Sequence, residues 1–144
     1  MRKCVAAICT AGYLAVLAFA AAPGPAAGAD VRSCPSGTEL HAEYRLFFGR
    51  SRGNEEVVSD AGWREFLANE VTPRFPNGLT VLDAGGQWRD ASGTIVRERS
   101  KMLLVLAEPG AEGMRLVEEI ADTYKRRFDQ ESVLRIVGTA CASF

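Results

Sequence analysis

Histidine is all but missing from this chain: His41 is the single one in 144 residues. It has no aspartate, serine or cysteine neighbour at a triad-like spacing, and near the start of a strand it reads as a surface residue. A closed zinc site needs four ligands, and one histidine with two cysteines outside the N-terminal leader does not supply them, so no metal site and no cofactor is expected. A nucleotide loop of the GKS type, a hydrolase elbow, an HExxH helix and an EF-hand loop are all absent. So is any excess of positive charge: 17 basic residues stand against 18 acidic ones. Nucleic acid or an anionic membrane surface would favour a basic stripe, and neither is expected as a partner. Beyond residue 22 no long apolar run occurs, and no repeat or low-complexity stretch follows.

What is present begins with an export signal. Met1-Arg2-Lys3 is a short basic head, Val5–Ala22 is almost wholly apolar, Pro23-Gly24-Pro25 breaks it, and Ala27-Gly28-Ala29 is the small-x-small pattern of a signal peptidase site. An uncleaved anchor is the alternative. The run is near the lower limit of about 17–20 residues for a span, and no basic cluster follows to stop transfer. The expectation is a cleaved signal over 1–29, a single domain over 30–144, a periplasmic or secreted location, and no stable membrane association afterwards. Cleavage leaves 15 basic and 18 acidic residues, a formal charge of −3. Cys4 and Cys9 depart with the signal. Cys34 and Cys141 remain, and an even count in an oxidising compartment implies a disulfide. Lipid modification of Cys34 is a weaker alternative, because the preceding residues Asp30-Val31-Arg32-Ser33 are polar and charged.

Glu39 to Phe48 alternates, with Leu40, Ala42, Tyr44, Leu46 and Phe48 on one side, which predicts a half-buried strand. Gly49–Glu56 reads as a polar loop. Ser59 or Asp60 caps a helix carrying Trp63, Phe66, Leu67 and Val71 at helical spacing, stopped by Pro73 and Pro76. Leu79–Leu82 is a short strand, Gly85-Gly86 a bulge or kink, and Gln87-Trp88 resume the strand. A turn over Asp90–Gly93 then leads into Thr94–Leu106, whose Met102–Leu106 section is apolar on both faces and suits a central strand. Met114, Val117, Ile120, Tyr124 and Phe128 mark a second amphipathic helix with Lys125, Arg126 and Arg127 at its C-terminus, where cations are favoured. Ser132–Val137 is the last strand, and Gly138–Phe144 a tail. The order strand, helix, strand, strand, helix, strand predicts an α+β fold, the ferredoxin-like plait βαββαβ. In it an antiparallel four-stranded sheet carries both helices on one face, with the first and third strands central.

Several blocks are similar to a known family. They are Leu46-Phe47-Phe48-Gly49, Ser59 with Trp63 and Phe66, Val71-Thr72-Pro73-Arg74-Phe75-Pro76, Gly78-Leu79-Thr80, Gly86-Gln87-Trp88, Arg97 with Ser100-Lys101, and Gln130-Glu131-Ser132-Val133-Leu134. Over about Cys34 to Phe144 the chain resembles the bacterial family called domain of unknown function 3574. The resemblance implies an exported single-domain unit and implies no reaction.

Candidate chemistry therefore comes from the residues themselves, and it concentrates in the stretch 85–101. Arg97, Arg99 and Lys101 alternate along one strand and share a face, expected to be the open face beside Glu43 and Arg45, with Arg135 joining from the last strand. Such a face suits a small anionic ligand; cross-strand ion pairing is the bland alternative. Trp88 and Gln87 complete the candidate ligand set, Trp88 by stacking on a flat ligand or, otherwise, by covering the core edge. Glu98, of opposite parity, is the best-placed carboxylate for a general base if partly buried. Two function classes stay open: a binding module for a small molecule or partner, and a small cofactor-independent enzyme whose pocket forms on a dimeric plait. Phe47 shares the face of Glu43 and Arg45, and covering its ring motivates a homodimer through that face.

Overall fold

The computed structural model describes residues 33–144 other than 54 and 90, so the expected signal over 1–29 lies outside the described residues. The described chain is an α+β fold with two helices and an antiparallel four-stranded sheet. The long strands are β1 (Glu39–Gly49), β4 (Thr80–Arg89), β5 (Ile95–Ala107) and β6 (Leu134–Ala142). They lie side by side in the order β4-β5-β1-β6, so the first and third long strands are central, as expected. The polar segment after β1 is more ordered than its composition predicts. It forms a two-stranded hairpin, β2 (Ser51–Arg52) and β3 (Glu55–Glu56).

Burial follows the period-two pattern of β1. Tyr44, Leu46 and Phe48 are buried, and they join Leu103 and Val105 of β5 in one core. Onto that face pack α1 (Asp60–Phe66), which runs on into a π-helical turn Leu67–Val71, and α2 (Ala111–Phe128). Ser59 caps α1, its hydroxyl accepting from the Gly62 amide at 3.1 Å; such a cap contributes about 1 kcal/mol. Trp63 and Phe66 from α1 and Tyr124 and Phe128 from α2 meet Phe48 in an aromatic cluster with ring centroids 4.7–6.2 Å apart. Edge-on and tilted packing of this kind adds about 0.5–1.5 kcal/mol per pair beyond area burial. α2 ends where Asp129 enters the left-handed region and the Gln130 amide donates to the Lys125 carbonyl at 3.0 Å.

Four expectations need correction. Gly85-Gly86 form no bulge: β4 pairs with β5 in unbroken register from Thr80↔Leu104 to Arg89↔Ile95, passing both glycines. The last strand reaches Ala142, so Cys141 lies inside β6 opposite Leu40 and not in a tail. It is joined to Cys34 across a Cα–Cα distance of 5.5 Å, fastening the segment before β1 to the neighbouring strand. His41 is buried and not at the surface; it pairs with Ala140 of β6, and the Phe144 ring stands edge-on to it, centroids 5.8 Å apart. The fourth correction concerns the cations. Lys101 pairs with Phe48, a core residue, so Lys101 and its parity mates Arg99 and Arg97 point to the helix side of the sheet. Arg135 does the same, paired with Leu46 and reaching Glu118 of α2 at 3.8 Å. Glu43 and Arg45 do lie on the open face, opposite Leu106 and Leu104.

Candidate functional site

β1 stops pairing with β5 at Gly49↔Ser100, whereas β4 and β5 remain paired to Arg89↔Ile95. The paired segments 86–89 and 95–98 therefore project past the central strand as a two-stranded arm. The arm's two faces differ because side chains alternate. One face presents Trp88, Val96 and Glu98; the other presents Gln87, Arg97 and Arg99. The expected ligand set is thus divided, with Trp88 on one side and its four partners on the other.

The cationic side is largely engaged. Lys101 donates to Asp83 across the strand pair, and Arg99 lies 3.4 Å from Glu56. Lys101 holds the Asp83 carboxyl below its ordinary value. Arg97 alone of the three carries no ion pair among the described residues. With Gln87, Arg99 and the two glycines it lines a shallow depression.

The other side is a hollow of about 280 Å³. Its walls are Trp88, Val96 and Glu98 from the arm, Ser51–Gly53 from the hairpin after β1, and residues 129–132 from the loop before β6. The loops are held together: Arg52 pairs with Asp129, and the Gln130 amide group donates to the Ser51 carbonyl at 3.3 Å. Beneath them Arg50, fully buried, fixes the start of the hairpin. Its Nε donates to the Val58 carbonyl at 2.8 Å and Nη2 to Glu56 at 2.7 Å, while Nη1 lies 2.7 Å from Asp60 without hydrogen-bond alignment. Nothing in the sequence pattern marks Arg50 out from its neighbours; only its place at the end of a core-facing strand parity does.

Glu98 is the unusual group. It is half-buried, and among the described residues no donor reaches its carboxylate. Desolvation alone pushes its pKa above the ordinary 4.5. Its seat is made by a missing side chain, because a Cβ on Gly49 would stand 2.7 Å from Oε1 and 3.0 Å from Oε2. Gly49 is itself pinned by Tyr124, whose hydroxyl donates to its carbonyl at 2.7 Å. Burial raises the Tyr124 pKa, with the Glu98 charge adding to the rise and Arg50 opposing it. The exposed Trp88 lies on the same face of the arm one same-side step along the ladder, opposite Val96, and Asp129 and Glu131 add to an acidic lining that Arg52 only partly offsets. An aromatic face beside an unsatisfied acceptor suits a flat ligand bearing a cation or hydrogen-bond donors. Among the described residues no three His, Cys, Asp or Glu side chains gather as metal ligands.

With this geometry established, comparison with known proteins adds a family and a scaffold. The sequence model of a family described as Protein of unknown function (DUF3574) matches residues 43–144. The chain belongs to that family. The match begins within β1, at Glu43, and includes Gly49, Trp88 and Glu98. No curated protein matches the chain. Among solved structures, a phage SAM lyase in complex with S-methyl-5'-thioadenosine is similar at 14% identity and a TM-score of 0.58, covering 81% of this chain and 97% of that one. The phage SAM lyase in its apo state is similar at 13% identity and a TM-score of 0.54, covering 80% and 97%. At that identity the likeness shows a shared fold.

Proposed function

We propose that this DUF3574 protein is an exported small-molecule-binding module on a ferredoxin-like plait, taking a flat, donor-bearing ligand between Trp88 and Glu98. The plait reading is supported by the order β4-β5-β1-β6 with both helices packed against one face. Export is supported by the leader-like N-terminus and the Cys34–Cys141 bridge; among the described residues no helix is long and apolar enough to cross a membrane. The observation that carries the binding reading is Glu98: a carboxylate left half-buried without a donor, in a hollow with an exposed tryptophan. A ligand donor placed there satisfies the acceptor and offsets its desolvation.

The ligand class follows from the walls. Trp88 offers a stacking face, and Glu98 with Glu131 favours amines, hydroxyls or a sulfonium-type cation over an anion. The solved neighbour's S-methyl-5'-thioadenosine has this character, a flat base with hydroxyl donors, and is the first compound to try together with S-adenosylmethionine. A second reading, a small cofactor-independent enzyme, is favoured by the raised pKa of Glu98, which brings it closer to the range of a general acid or base.

Trp88 is the exposed one of the two tryptophans, Trp63 being buried, so ligand entry is readable by fluorescence. Titration with both adenosyl compounds should quench emission. Trp88→Ala should abolish binding detected by calorimetry, Glu98→Gln should weaken it roughly tenfold, about 1.4 kcal/mol, and Arg97→Ala should leave it unchanged. Binding that ignores Trp88 and Glu98 but is lost in Arg97→Ala would move the site to the cationic side and restore the small anionic ligand.

A further inference from the structure

The open face of the sheet carries an apolar band that no described element covers. Register sets Leu82 beside Met102, Met102 beside Phe47, and Phe47 beside Leu134. One row of four apolar side chains therefore crosses all four strands on the side away from the helices. The next row reads Thr80, Leu104, Arg45 and Ile136, and the one after it Leu106, Glu43 and Gly138. Leu82, Leu134 and Ile136 are 46%, 59% and 41% exposed. A sheet face that meets water is normally polar, with its apolar residues turned to the core. Here β5 is apolar on both faces through its central section, and a contiguous exposed patch of this kind marks an interaction surface.

We infer that this face is the interface of a homodimer, two copies packed sheet against sheet. Charge is the first reason for a second copy as occupant. The two charges within the band, Glu43 and Arg45, lie two residues apart on the central strand and hydrogen-bond each other at 2.7 and 3.1 Å. They sum to zero, and a two-fold axis passing between them brings each Arg45 toward the Glu43 of the other copy. The face is thus its own electrostatic complement, as an isologous interface requires.

Area is the second reason. Four strands about 4.8 Å apart, over roughly seven residues of about 3.3 Å each, present roughly 450 Å² in projection. Side-chain relief raises this toward the order of the about 800 Å² per partner that stable complexes bury. Facing sheets also pack about 10 Å apart with interdigitating side chains, which the Leu and Phe rows can supply. At one end of the same face lies a hollow of about 570 Å³ walled by His41, Leu104, Leu106 and the wholly exposed ring of Phe144. A second copy on the face roofs that hollow and covers the ring.

The test is sedimentation equilibrium of the purified protein at high micromolar concentration, with three variants whose side chains are exposed. Wild type should sediment as a dimer. Ile136→Glu and Leu82→Glu, both in the band, should each weaken association at least about tenfold while keeping the wild-type melting transition of the monomer. Val137→Glu, adjacent in sequence, 54% exposed and on the helix side of β6, should remain dimeric. A wild type that is monomeric throughout overturns the inference. So does a dimer that Val137→Glu breaks, or one that both band substitutions leave intact.

Discussion

Replacing Gly49 by alanine separates a structural role for this glycine from its role as the seat of Glu98. Gly49 is not among the glycines at positive φ, so the backbone accepts alanine without strain. The new methyl would stand 2.7 Å from Glu98 Oε1, 3.0 Å from Oε2 and 3.1 Å from Cδ. The carboxylate is the far end of a flexible side chain with no hydrogen bond to lose among the described residues, so it swings out toward water. Loss of unfolded-state freedom stabilises by about 0.4–1 kcal/mol, and relieving the desolvated carboxylate acts in the same direction. The fold should therefore be unchanged or slightly more stable. Gly113→Ala provides the contrast. Its methyl would meet the Tyr44 hydroxyl at 2.7 Å and the ring at 2.9 Å, and Tyr44 is 2% exposed and cannot retreat. There a helix-propensity gain of about 1 kcal/mol opposes overpacking of about 1–3 kcal/mol, and the net effect is a loss. Urea melts compare the two. NMR titration of the Glu98 carboxyl then reads the displacement directly, and its pKa in Gly49→Ala should fall back toward 4.5. A Gly49→Ala protein that keeps the raised Glu98 pKa, or loses more than about 2 kcal/mol, refutes the reasoning that the absent side chain makes the site.

Glu98 also sets a pH dependence. Its folded pKa lies above the ordinary 4.5 because burial disfavours the charge, so its contribution is fully present below that pH and is lost as pH rises through the folded value. Stability of Glu98→Gln relative to wild type should therefore climb across this window and level off above it; equal pH profiles for the two proteins would remove the burial argument. Reduction of Cys34–Cys141, which closes a sequence separation of 107, should lower unfolding stability by about 4–5 kcal/mol in the chain-entropy model. Paired denaturation curves with and without reductant measure it, and a change below about 1 kcal/mol would refute the loop-entropy account of the bridge.

Much of the fold was legible in the residues. The alternation from Glu39 to Phe48, the helical spacing of Trp63, Phe66 and Val71, the cap at Ser59 and the pairing of Cys34 with Cys141 all rest on local pattern or on counting, and the structure agrees with each. Local pattern also showed that Arg97, Arg99 and Lys101 share a face while Glu98 takes the other, since period two belongs to the strand itself. Which of those faces carries the helices was not legible. That depends on the partner each residue registers against, and Lys101 is turned to the helix side because the pairing of β1 with β5 places it beside Phe48. The unbroken strand through Gly85 and Gly86 has the same origin, a partner strand long enough to hold both glycines flat. Gly49 is the clearest case. Its neighbours make it look like the end of a strand, and only the arrival of Glu98 from β5, 49 positions later, turns a missing side chain into a seat for a carboxylate. Contacts of that separation are set by packing across the sheet, and no local pattern in the chain encodes them.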